Sequence, residues 1–160
     1  MGLWEFPAKE YKIRQSAEDD IVRRFAGTLE DLVGSKHITY EGTKKRGRCD
    51  LLIHEPAMTS GVGPCVLEFK VLREQNSHSY HRKWVLKGVL QARDYSIDNE
   101  ANSRYLMTYD ARKNEKDIEY VDALADKYEV RYMRFRMYNT TSAEREQEVT
   151  EIVKNKGINK

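Results

Sequence analysis

Asp50, Glu68 and Lys70 are the residues of this 160-residue chain whose types and spacing carry chemistry. Asp50 lies in Arg48-Cys-Asp-Leu-Leu-Ile-His-Glu55, and Glu68 and Lys70 lie in Pro64-Cys-Val-Leu-Glu-Phe-Lys-Val-Leu72. Residues two apart in a strand point to the same side, so Glu68 and Lys70 share a face while Leu67 and Phe69 point the other way. Two carboxylates and an amine among apolar neighbours are expensive to bury for stability alone. They suit a metal site with a catalytic lysine. Mg²⁺ takes one or two carboxylates and keeps waters, and the carbonyl of Val66, Leu67 or Glu68 can complete its shell. Phosphodiester hydrolysis needs such a cation to offset developing charge. Lys70 can position or deprotonate the attacking water, or stabilise that charge.

The pattern Glu-x-Lys is weak by itself, because Glu10-Tyr-Lys12 matches it too and a surface ion pair explains it as well. Context separates the two. Glu68-Phe-Lys70 follows an apolar run and is paired with an upstream apolar run that carries Asp50. Pro56, Ser60, Gly61, Gly63 and Pro64 lie between the runs, which predicts two adjacent strands, an antiparallel pair.

Other elements must position this pair. Ser16-Ala-Glu-Asp19 reads as a capping box opening a helix with Ile21, Val22, Phe25, Leu29, Leu32 and Val33 inward, stopping at Gly34. Glu18 is the acid of its first turn able to look inward, although a first-turn Glu also complements the helix dipole. Trp4, Phe6, Tyr11 and Ile13 form a short strand or an arm on the core. A strand is expected over 37–41, a helix over about 80–97, a strand over 103–108, a helix over 115–128 and a strand over 130–138. Along the 80–97 helix, Trp84, Gly88, Gln91 and Tyr95 make one stripe, with Leu86, Val89, Leu90 and Ile97 as apolar neighbours. In the last strand, Met133, Phe135 and Met137 face one side and Tyr132, Arg134 and Arg136 the other. This order predicts an α/β fold with a mixed sheet of four to five strands, covered by helices on both faces. The chain reads as a single domain over 1–160, with its core at about 16–138 and a helical tail at 139–160.

These residues resemble a known family. Asp50 … Glu68-Phe-Lys70 looks like the signature of the PD-(D/E)XK nuclease superfamily, with Cys49 where the motif name has Pro. Gln91-Ala-Arg-Asp-Tyr95 resembles the Q-x-x-x-Y motif of its RecB-like and λ-exonuclease-like branch, and Glu18 stands where many members carry a first-helix acid. The resemblance covers about residues 16–110. It implies a restriction-endonuclease-like core and a metal-dependent nuclease hydrolysing DNA, in repair, restriction or anti-phage defence. Asp50 and Glu68 would hold Mg²⁺ or Mn²⁺ with help from Glu18, and Lys70 would act on the nucleophilic water. Gln91 and Tyr95 would position the site or the substrate backbone. Without the resemblance, those two read as a polar residue on a solvated face beside a core tyrosine.

Net charge is only +2, so any nucleic-acid argument rests on where the charges fall. Lys44, Lys45, Arg46 and Arg48 precede Asp50 and can hold phosphates at the mouth of the site, or form a solvated turn. Arg73, Arg82 and Lys87 can line the other wall. Trp84 reads as a core anchor rather than a base-stacking platform. His78 and His81 read as surface or substrate-contacting residues, since their spacing does not suit structural zinc. Cys49 and Cys65 read as buried thiols. No apolar run is long enough to span a bilayer and no signal-peptide pattern opens the chain, so a cytoplasmic protein is expected, with a homodimer or larger host protein as context. The competing readings are a nucleic-acid-binding or structural module of the same fold without turnover, and a small protein-interaction domain.

Overall fold

A computed structural model of the chain describes residues 3–5, 12–40, 49–54, 64–113, 116–137 and 142–155. Helix α1 (Ala17–Val33) is followed by a 3₁₀ turn (Ser35–His37), strands β1 (Ile38–Tyr40), β2 (Leu51–Ile53) and β3 (Cys65–Leu72), and helix α2 (His78–Asp98). Strand β4 (Ser103–Asp110), helix α3 (Val121–Lys127), strand β5 (Arg131–Arg136) and helix α4 (Ser142–Asn155) complete the order. The strands form one sheet in the order β1-β2-β3-β4-β5. β1, β2 and β3 pair antiparallel, while β3, β4 and β5 pair parallel. The fold is therefore α/β with a mixed five-stranded sheet, as its element order predicts.

The central strand β3 is buried along its whole length, which its near-continuous apolar sequence explains. Its residues sort by parity. Cys65, Leu67, Phe69 and Val71 join Ile21, Val22 and Ala26 of α1 in one core. Leu72 joins Val85, Val89 and Ala92 of α2 and Val121 and Ala125 of α3 in a second core, and Val66 packs with Cys49, Leu52 and Tyr95 in a third cluster. Helices thus cover both faces, and Glu68 and Lys70 point to the side of α2.

Several local expectations are corrected. The capping box is absent: the Ser16 hydroxyl donates to the Asp20 carboxylate at 2.9 Å instead of accepting a backbone N–H. α1 does end at Gly34, whose φ of 91° favours glycine and whose N–H donates to the Glu30 carbonyl. Leu32 turns outward at 74% exposed, because α1 buries only the stripe of Ala17, Ile21, Val22 and Ala26. α2 begins at His78, capped by Ser77, whose hydroxyl accepts the Tyr80 N–H. Ile97 is exposed near the end of α2. α3 starts at Val121, well inside the expected span, after Tyr120 takes a left-handed conformation at φ 69°. Ile118 is buried before the helix begins. Met133 is exposed, whereas Phe135 and Met137 pack on the α1 side and Tyr132 on the α2 side, as the alternation predicts.

An isolated bridge between Trp4 and Ile13 makes the described N-terminal residues an arm against the α1 core. Neither cysteine is in a disulfide: the two lie in clusters on opposite sides of the sheet. Among the described residues, no helix is long and apolar enough to cross a membrane.

Candidate metal and phosphodiester site

The site lies where the β2 ladder stops. β2 covers β3 from Cys65 to Leu67, with Leu51 opposite Leu67. Strand N–H groups point to alternate sides, so beyond that point Phe69 and Val71 carry donors facing away from β4. Carboxylates satisfy them. Asp50 Oδ2 accepts the Phe69 N–H at 2.8 Å, and Glu18 Oε2, from the first turn of α1, accepts the Val71 N–H at 3.3 Å. A carboxylate accepting a backbone N–H makes a strong, orienting bond. Asp50 and Glu18 are thus fixed one after the other along the edge of β3 that β2 leaves open, beside Glu68 and Lys70.

Glu68 and Lys70 are 2% and 3% exposed. Lys70 Nζ donates to Glu68 Oε1 at 2.6 Å, and Glu68 Oε2, also buried, has no partner. Burial pushes the Glu68 carboxyl up to about 7; the Lys70 ammonium pulls it down, and the charges of Asp50 and Glu18 add to the rise. Burial pulls the Lys70 amine down, but Glu68, Glu18 and Asp50 together outweigh it and hold the amine above its ordinary value. Lys70 therefore remains an ammonium at neutral pH. Its Nζ also sits 4.8 Å from the centre of the Trp84 ring.

α2 supplies the facing wall. Gln91 Nε2 donates to Tyr95 Oη at 3.3 Å, while Gln91 Oε1 is buried without a partner. Burial raises the Tyr95 phenol, which also feels Glu68, Asp50 and Lys70. Gly88, between Trp84 and Gln91, is a position whose importance the sequence alone did not establish. A Cβ there would lie 2.7 Å from Leu106 Cδ1 and 3.1 and 3.2 Å from Lys70 Cγ and Cε. The lysine stem runs over the spot where a side chain would stand. A glycine in the middle of a helix is the signal that points to such a close approach.

The structure thus brings together Asp50, Glu68, Lys70, Glu18, Gln91 and Tyr95. The described basic residues differ from one another in their surroundings. Arg73 donates to the carbonyls of Ile13, Arg14 and Gln15, clamping the segment before α1 rather than presenting free donors to a substrate. Arg82 lies 4.0 Å from Glu119, and Lys87 Nζ lies 5.7 Å from the Trp84 ring centre. Lys44, Lys45, Arg46 and Arg48 lie outside the described residues. His81 is buried, not a surface residue, and its ring is held on the Arg73 carbonyl; His78 meets Glu119. Trp84 is only half-buried and belongs to the wall of the site as much as to the core.

Among the described residues, no group of three or more His, Cys, Asp and Glu is arranged to hold a metal ion. A hard divalent cation needs only one or two carboxylates beside waters, however. The partnerless Glu68 oxygen next to Asp50 fits that requirement. The chain matches no family model, no curated protein and no solved structure.

Proposed function

We propose that the chain is a metal-dependent nuclease that hydrolyses phosphodiester bonds in DNA, built on a restriction-endonuclease-like core of the PD-(D/E)XK kind. One observation carries this reading. A buried ammonium and a buried carboxylate touch at 2.6 Å, and the carboxylate's second oxygen is left without a partner beside another acid. An unmet buried acceptor costs about 1–3 kcal/mol, a penalty that a cation bound at that oxygen would remove.

Asp50 and Glu68 would hold Mg²⁺ or Mn²⁺, with Glu18 assisting. When bound, the cation would neutralise charge developing on the phosphate and lower the pKa of a coordinated water. Lys70, protonated at neutral pH, is a hydrogen-bond donor to the phosphoryl oxygens or to the attacking water, stabilising charge as it develops. Gly88 leaves the lysine stem its path, and the Trp84 ring steadies the ammonium from the side. Gln91 and Tyr95, one turn apart on α2, face the same groove and would orient the substrate backbone.

Supercoiled plasmid and end-labelled oligonucleotides, incubated with Mg²⁺, Mn²⁺ or EDTA, test the proposal. Cleavage should need the metal and should vanish in Asp50→Ala and in Lys70→Ala. Absence of cleavage with either metal, or undiminished cleavage by Asp50→Ala, leaves a binding module of the same fold instead.

A further inference from the structure

Tyr80 and Trp84 stand one turn apart at the start of α2, their rings stacked with centroids 6.0 Å apart and planes 18° apart. The His81 ring meets Tyr80 edge-on at 6.2 Å and 78°, which holds the tyrosine in that orientation. Core packing does not account for this arrangement, because Tyr80 is 46% exposed. Both rings line a cleft of about 170 Å³, together with Glu18, Val71 and Arg73. Glu18 and Val71 belong to the carboxylate site itself, so the cleft opens from it. The exposed Lys87 stands 5.7 Å from the centre of the Trp84 ring, placing a cation at the edge of the stack.

A flat aromatic surface beside cations is the means by which proteins hold single-stranded nucleic acid: the bases stack and the cations follow the backbone. A base inside a duplex has both faces covered by its neighbours and offers none to a tyrosine. The cleft is also smaller than the pockets that take drug-sized ligands, and suits one flat ring system. We propose that Tyr80, backed by Trp84, is a stacking platform for one unpaired base of single-stranded DNA, next to the phosphate that enters the carboxylate site. The location of that phosphate rests on the nuclease reading; the stacking itself does not. The substrate class that follows is a single-stranded end, flap or gap rather than an intact duplex.

Binding can be read without catalysis, by fluorescence anisotropy of a labelled oligo-dT in EDTA. Tyr80→Ala should weaken binding about 5- to 150-fold, the worth of one stacked base. Tyr80→Phe, which keeps the ring, should bind like the unaltered protein. An oligonucleotide carrying abasic sites should bind the unaltered protein as weakly as Tyr80→Ala binds the intact strand, and should be insensitive to the substitution. Trp84→Ala can disturb folding, so the more exposed Tyr80 carries the test, with thermal melts as a check. Equal binding by Tyr80→Ala, equal binding of abasic and intact strands, or no single-strand binding by the unaltered protein would each overturn the platform. The nuclease reading stands or falls separately, on metal-dependent cleavage.

Discussion

Two buried clusters of opposite charge sit near the ends of neighbouring parallel strands, and they are built in contrary ways. At the end of β4, Asp110 is 1% exposed and accepts hydrogen bonds from the Arg112 backbone N–H, Arg112 Nε and Nη2, and Arg134 Nε and Nη2. Burial pushes its carboxyl up, yet the bonds from Arg112 and Arg134 prevail and hold it below the usual range. On β3, the equally buried Glu68 has one bond, from Lys70, a partnerless oxygen and a carboxyl raised to about 7. The shifts are opposite because the bonds from Arg112 and Arg134 outweigh the burial of Asp110, whereas burial prevails at Glu68 over its single bond from Lys70. Saturation by donors, not burial alone, sets the direction of the shift.

The largest expected effects set these clusters against each other. Asp50→Asn, which keeps an acceptor for the Phe69 N–H, should lower DNA cleavage by roughly 10²- to 10³-fold or more while leaving the melting temperature near its original value. Asp110→Ala should do the reverse, lowering stability by about 3–5 kcal/mol in denaturant titrations, because it strands Arg112 and Arg134. A stable Asp110→Ala protein would erase the distinction.

Gly88→Ala should come next. The helix gains up to about 1 kcal/mol in propensity, set against overpacking of about 1–3 kcal/mol. Leu106 can yield, but the buried Lys70 stem is displaced, so the cleavage rate should fall about 10- to 100-fold with little change in melting. A rate that stays put would mean that the lysine tolerates a new path.

The pH dependence should also differ in sign. Glu68 rises from an ordinary 4.5 to about 7, so in the metal-free protein its contribution to stability is full below 4.5 and lost as pH climbs through about 7. Asp110 is depressed below an ordinary 3.8, so its contribution is present above 3.8 and lost as pH falls through its lowered value. Melts of the Glu68→Gln protein in EDTA should lack the loss around pH 7 that the parent shows. The smallest effect is expected at Arg82, whose exposed partner Glu119 is 4.0 Å away. Arg82→Ala should change stability by less than about 1 kcal/mol.

The sheet and the trio at its open edge were legible because strand alternation is short-ranged: parity alone puts Glu68 and Lys70 together, and one loop brings Asp50 alongside. Glu18 was legible in its inward direction, but its bond to the Val71 N–H depends on where the β2 ladder ends, which no local pattern encodes. The Asp110 cluster escaped notice for the same reason, since Arg134 reaches it only through the parallel register of β4 and β5. Apolar residues misled where a helix buries a narrow stripe, as at Leu32 on α1. The late start of α3 follows from Tyr120 adopting a backbone conformation more usual for glycine, which its sequence does not announce.

Titration calorimetry with Mn²⁺ at pH 8 addresses the central claim most directly, on the unaltered protein, Glu68→Ala and Lys70→Ala. The account predicts one bound cation in the unaltered protein, loss of that binding in Glu68→Ala and its retention in Lys70→Ala. It also predicts an affinity that falls up to tenfold per unit as pH drops below about 7, because the cation must displace the Glu68 proton. An unaltered protein that binds no cation, or a Glu68→Ala protein that binds it equally well, would contradict the account.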